Sequence, residues 1–236
     1  MKQLVKQSRR NTTYKNSEAE GAAKVAPLLP KTEKQKTYID ALNTQSQIIV
    51  SGYSGTGKTY LAATKAGNMY ALGEVDKIIV TRPNVSVGKD LGFFKGSLEE
   101  KMEPWAAPVM DVLKEQLGRG TVETGMKNGN IEVAPISTMR GRSFHDAFVI
   151  LDEASNTTIP EMIMFLTRIG ENCKVVINGD IRQQDIKGES GLLKALTLAN
   201  KYDIDVAVIE FGIEDIVRSK QTKDWIVAFT EEGDMK

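Results

Sequence analysis

The sequence predicts an α/β fold, a mostly parallel sheet with helices on both faces. Three observations point there. Six short apolar runs recur along the chain, helical stretches separate most of them, and the runs are continuously apolar instead of alternating with polar residues. Continuous apolarity marks strands buried on both faces, and a helix between two strands is the crossover that parallel neighbours need.

Taken in order, residues 1–30 are polar and end in the loop-like "VAPLLPKT", so they read as an extension ahead of one domain spanning 31–236. "TEKQKTYIDAL" offers Thr32 as an N-cap with Tyr38, Ile39, Ala41 and Leu42 at helical spacing, which predicts a helix before the first strand. Strands are then expected at 47–53, 77–83, 130–136, 147–153, 173–179 and 205–211. "KTYLAATKAGNMYALG", "IPEMIMFLTRIG" and "SGLLKALTLANKY" supply helices between them, and a glycine after the helical run suits a left-handed C-cap. Residues 84–127 break the alternation: "GSLEEKMEPWAAPVMDVLKEQLG" reads as one or two helices with no strand, a helical insertion.

Composition narrows the class. A chain of 236 residues, 41% hydrophobic and 26% charged, is in the globular range. No run of about 18 apolar residues occurs, and "MKQLVKQSRR" lacks the apolar centre of a signal peptide, so a soluble cytoplasmic protein is expected, without membrane partners. Cys173 is the only cysteine, which excludes an intramolecular disulfide and a multi-cysteine metal site. Lys+Arg and Asp+Glu balance at 31 each, yet residues 1–36 hold nine basic against three acidic residues. That basic arm is either a solvated tail or a contact for nucleic acid or a neighbouring subunit.

The chemistry is written most plainly at "SGYSGTGKTYLA". Gly52, Gly55, Gly57, Lys58 and Thr59 fit G-x-x-x-x-G-K-[ST], between an apolar strand and a helix. Such a loop curls its backbone N–H groups around phosphate oxygens and adds the helix dipole, so Ser54, Thr56 and Tyr60 belong to the same candidate contact surface. Lys58 would reach the β- and γ-phosphates and Thr59 would ligate Mg²⁺. A metal shell also needs a carboxylate at the end of another apolar strand, and "FVILDEA" offers Asp152. Glu153 follows, placed to orient or deprotonate an attacking water. A water activator favours hydrolysis over a small-molecule kinase, which needs an acceptor pocket and a lid.

With "GYSGTGKTYLA", "VTRPNV", "LGFFKGSLEEKMEPW", "TMRGRSFHDAFVILDEASNTT", "MFLTRIG" and "NGDIRQQD" in family order across roughly 28–230, the sequence resembles the PhoH-like ATPase family. The resemblance implies a P-loop NTPase with a RecA-like core akin to the first motor domain of superfamily 1 helicases. It also implies ATP and Mg²⁺ as cofactors and, beyond them, work on RNA or single-stranded DNA in the cytoplasm of a bacterium or a phage host. Carried over by position, Gln35 resembles the glutamine that reads the adenine edge. Asp180 and Gln183 resemble the sensor of the γ-phosphate, with Gln184 equally reachable on spacing alone. Arg82, Arg140 and Arg142 stand where helicases meet nucleic acid or phosphate. Arg218 is the candidate arginine finger, in competition with Arg168. A site lacking a second motor domain implies completion by a neighbouring subunit in a ring, often a hexamer. Aromatic residues of the insertion, Phe93, Phe94 and Trp105, either stack on bases or pack in the core. Against the motor reading stands a binding class, an ATP-responsive scaffold acting on a protein partner.

Overall fold

The structure, a computed structural model, describes residues 25, 27–83 and 98–233. Within α3 its side chains are described from residue 105 onward. Most of the basic arm, Phe93 and Phe94 lie outside the described residues. Six strands form one sheet: β1 (Gln47–Gly52), β2 (Lys77–Arg82), β3 (Ile131–Pro135), β4 (Ala147–Leu151), β5 (Lys174–Gly179) and β6 (Ala207–Phe211). The order across the sheet is β3-β2-β4-β5-β1-β6, with every adjacent pair parallel. The α/β, RecA-like arrangement expected from the sequence is therefore present, each predicted strand included.

Alternation along the strands sends residues to two cores. Ile48, Val50, Ile78, Val80, Ile150 and Val176 face one side, beneath α1 (Glu33–Thr44), α2 (Lys58–Ala71) and α3 (Leu98–Leu117). Ile49, Ile79, Val149, Leu151, Val175 and Ile177 face the other, against α5 (Ile159–Leu166) and α6 (Gly191–Lys201). Burial of both sets is why the strands read as unbroken apolar runs. β6 lies at an edge, and there the alternation reappears, with Val208 and Glu210 exposed between buried Ile209 and Phe211.

The helices begin as their caps require. Thr32 Oγ1 accepts from Gln35 N at 3.1 Å, as the sequence predicts. At α5, Thr158 and Glu161 form a reciprocal capping box that spans Pro160 in the first turn. The segment expected as a helical insertion is helical where it is described, and its first helix is built into the core. Ala106, Val109, Met110 and Leu113 of α3 enter the core over α2, so this helix is a layer of the domain, carrying the β2–β3 crossover. It runs on to Leu117, and Gly118 at φ 82 separates it from α4 (Arg119–Lys127). The last helix, α7 (Lys220–Glu231), buries none of its residues. Among the described residues no helix is long and apolar enough to cross a membrane.

Candidate active site

All strands of a parallel sheet point their carboxyl ends one way, and a ligand crevice forms there where the strand order reverses. Here β1 ends in the loop that becomes the N-terminus of α2, while β2, β4 and β5 deliver Arg82, Asp152 and Asp180 to the same edge. A cavity of about 690 Å³ opens between them. Its lining includes Ser54, Gly55, Gly57, Lys58, Thr59 and Tyr60 of the loop and helix, Asp152 and Glu153 after β4, and Asp180 and Gln183 after β5.

The loop has the backbone of a phosphate cradle. Gly55 and Gly57 have φ of 81 and 90, a region that side chains rarely enter, and a Cβ on Gly57 would stand 2.8 Å from Gln35 Nε2. Thr56 is fully buried and pins the curl by donating from Oγ1 to Tyr53 O at 2.8 Å. Lys58 Nζ donates to Gly52 O at 2.6 Å and to Tyr53 O at 2.7 Å. Burial lowers the Lys58 pKa to about 8 against the opposing pull of Asp180, Asp152 and Glu153.

Across the cavity, Thr59 Oγ1 donates to Asp152 Oδ1 at 3.3 Å, joining residues 93 positions apart. Burial pushes the Asp152 carboxyl up, with Arg82 and the Thr59 hydrogen bond holding it down. Glu153 sits at φ 52, a turn that swings it off the strand line. Its pKa is raised by burial first and by Asp152 second. Among the described residues no three His, Cys, Asp or Glu side chains are grouped so as to hold a metal ion by themselves. The hydroxyl of Thr59 with one carboxylate is instead the sparse oxygen set by which Mg²⁺ is held together with substrate phosphates.

The remaining expected residues divide. Gln35 is buried beside the loop, but both ends of its carboxamide serve the backbone: Nε2 donates to Thr56 O at 2.8 Å and Oε1 accepts from Lys31 N at 2.7 Å. It buttresses the cradle while lining the cavity, and each end of the carboxamide keeps one further hydrogen-bonding position. Gln183 lines the cavity, whereas Gln184 Nε2 is tied to Ile186 O and Gly188 O in its own loop, which separates the two amides that spacing left equal. Arg218 also lines the cavity, packed on Gly55, while Val217 N donates to Gly55 O at 3.0 Å. Arg168 is absent from the lining; its carbonyl accepts from Phe144 N, just ahead of β4 and so at the opposite end of the sheet.

The three arginines expected near nucleic acid or phosphate take different places. Arg82 lines the same cavity, with Nη2 3.8 Å from Glu153 Oε1 and its guanidinium 5.1 Å from the Trp105 ring. Trp105 is thereby engaged within the domain. Arg142 grips Glu132 in a bidentate pair at 2.5 and 2.6 Å, a fork geometry that consumes its recognition face. Arg140 is exposed.

Two residues escaped the sequence reading. Asn178, 1% exposed, lines the cavity, yet neither amide atom has a hydrogen-bond partner. A polar residue closing the apolar run "KVVING" was the available signal. Arg182 donates from N and Nε to Asp180 Oδ1 at 3.1 and 3.0 Å and lays its guanidinium 3.4 Å from the Tyr53 ring centre. No spacing rule announces that contact.

Residues 27–230 match the family described as "PhoH-like protein". A "PhoH-like protein" of Mycobacterium leprae (strain TN) is 43% identical over 204 residues, 86% of this chain and 58% of that protein. "Protein PhoH" of Escherichia coli (strain K12) is 43% identical over 198 residues, 82% of this chain and 56% of that protein. A "PhoH-like protein" of Bacillus subtilis (strain 168) is 42% identical over 213 residues, covering 89% and 66% respectively. The chain thus spans 56% to 66% of the length of these relatives. Among solved structures, a Pif1 helicase from Candida albicans aligns over 86% of this chain and 44% of its own, at 15% identity and a TM-score of 0.45. A Sulfolobus solfataricus SWI2/SNF2 ATPase core in complex with dsDNA aligns over 78% and 45%, at 12% identity and a TM-score of 0.44.

Proposed function

This chain belongs to the PhoH-like protein family, and from that premise we propose that it is a Mg²⁺-dependent ATP hydrolase that couples hydrolysis to binding or remodelling RNA or single-stranded DNA. The observation that carries the hydrolytic part is the Thr59–Asp152 contact, with Glu153 next along the chain and Lys58 next to Thr59. It closes a phosphate grip, a metal seat and a base around one cavity.

In this reading the loop amides and the N-terminus of α2 hold the phosphates, and Lys58 turns from the loop carbonyls to their oxygens. Thr59 and Asp152 hold Mg²⁺, which when bound neutralises charge on the β- and γ-phosphates. Glu153 takes a proton from a water as its oxygen bonds to the γ-phosphorus and the bond to the bridging oxygen breaks, leaving ADP and phosphate. Arg218 supplies positive charge beside Gly55 from the same chain, and Gln183 and Asp180 register whether a γ-phosphate is present. Pro27, Leu28 and Leu29, which line the cavity near Gln35, give the adenine ring an apolar wall. The nucleic-acid part rests on Arg140, exposed after β3, and on the family; assembly into a ring and action in the cytoplasm are parts of the same reading.

Steady-state ATPase rates, with and without single-stranded RNA or DNA at low and moderate salt, test it. Glu153→Gln is expected to cut turnover by about 10²–10⁴-fold with nucleotide still bound. Normal hydrolysis by that variant would refute the site. Absence of both stimulation and salt-dependent binding would refute the nucleic-acid coupling and favour an ATP-responsive scaffold acting on a protein partner.

A further inference from the structure

We propose that Arg182 is a positioning residue that fastens the sensor loop to the phosphate loop through Tyr53, and so sets the preference of the site for a nucleoside triphosphate over a diphosphate. The inference rests on the nucleotide-binding reading above. Asp180 is buried at the cavity with one carboxylate oxygen, Oδ1, occupied by two donors from Arg182, while Oδ2 has no protein partner. Arg182 therefore fixes the orientation of the Asp180 carboxylate, with Oδ1 engaged and Oδ2 buried without a partner. Its charge also offsets a carboxylate that would otherwise repel a terminal phosphate, and it lies close enough to Lys58 to oppose that ammonium electrostatically.

The guanidinium is itself held. At 3.4 Å from the Tyr53 ring centre it stacks on the face of the ring, and Nη2 is shut off from solvent without a protein partner. A cation on an aromatic face is held most firmly where water is excluded. Tyr53 belongs to the cradle: its carbonyl accepts from Lys58 Nζ and from Thr56 Oγ1. A continuous path thus runs from Asp180 through Arg182 and Tyr53 to Lys58, joining the ends of β5 and β1. The tyrosine hydroxyl has no part in it; the contact is with the ring.

The test is the dissociation constant of ADP and of a non-hydrolysable ATP analogue, each with Mg²⁺, for the full chain and its Arg182→Ala, Tyr53→Leu, Tyr53→Phe and doubly substituted (Arg182→Ala with Tyr53→Leu) forms. Arg182→Ala is expected to lose triphosphate preference on the order of tenfold, between the scales of an exposed and a desolvated cation–π contact, with ADP affinity kept. Tyr53→Leu should repeat that loss, Tyr53→Phe, which keeps the ring, should keep the triphosphate preference, and the double variant should be no worse than either single one. Retained preference in Arg182→Ala, additive losses in the double variant, or a loss shared equally by ADP would overturn the coupling. If the parent binds neither nucleotide, the hydrolase reading falls and this inference with it; if the parent discriminates and Arg182→Ala does too, only this inference falls.

Discussion

At the scale of single residues, the site is a set of groups held against their ordinary preferences. Lys58 loses its proton at about pH 8 in the free protein because it is buried, and it must be protonated to hold phosphate. Glu153 must be ionised to accept a proton, and burial with Asp152 beside it raises the pH at which it ionises. The pH dependence of kcat/KM is therefore expected to rise above the ordinary glutamate range and fall as pH passes the Lys58 value. A profile that stays flat through and beyond that value would contradict the assignment. Asn178 gives a second prediction. A buried amide with no partner costs about 1–3 kcal/mol, so Asn178→Leu is expected to raise stability towards denaturant by up to about that amount while lowering turnover. Loss of stability in that variant would mean that the protein itself satisfies the amide.

At the scale of elements, each candidate side chain owes its place to where a strand stops. Leu151 ends β4; Asp152 keeps one backbone bond, donating from N to Thr81 O, and turns its carboxylate toward Thr59, while Glu153 enters the left-handed region. α3 steadies the other wall by packing on α2 and by presenting Trp105 to Arg82. Leu113 of α3 is fully buried, and Leu113→Ala is expected to cost about 2–5 kcal/mol in chemical denaturation with little change in activity per folded molecule. A cost near zero would show α3 to be an appendage after all. The helical character of this segment was legible from its spacing, but its burial was not, because a helix pattern says which face is apolar and nothing about what covers it.

At the scale of the whole molecule, one wall of the cavity is already closed from within by Arg218 and Val217, which follow β6. The proposed ring predicts that light scattering with an ATP analogue returns a multiple of the chain mass. A persistent monomer that still hydrolyses ATP at the full rate would show that the chain's own arginines suffice. Trp225 and Phe229, stacked on each other and exposed on α7, show that this helix does not depend on the core for its apolar side chains. The sequence by itself determined the parallel α/β class, the phosphate loop and the Asp152–Glu153 pair, because period, glycine spacing and a strand-end carboxylate are local signals. Only the tertiary structure decided that Gln184 is tied within its own loop, that Arg142 pairs with Glu132 while Arg82 stays at the cavity, and that Arg182 lies on Tyr53. The physical reason is that charges and amides are interchangeable along a chain. Their roles are fixed by which partners the sheet order brings within hydrogen-bond reach.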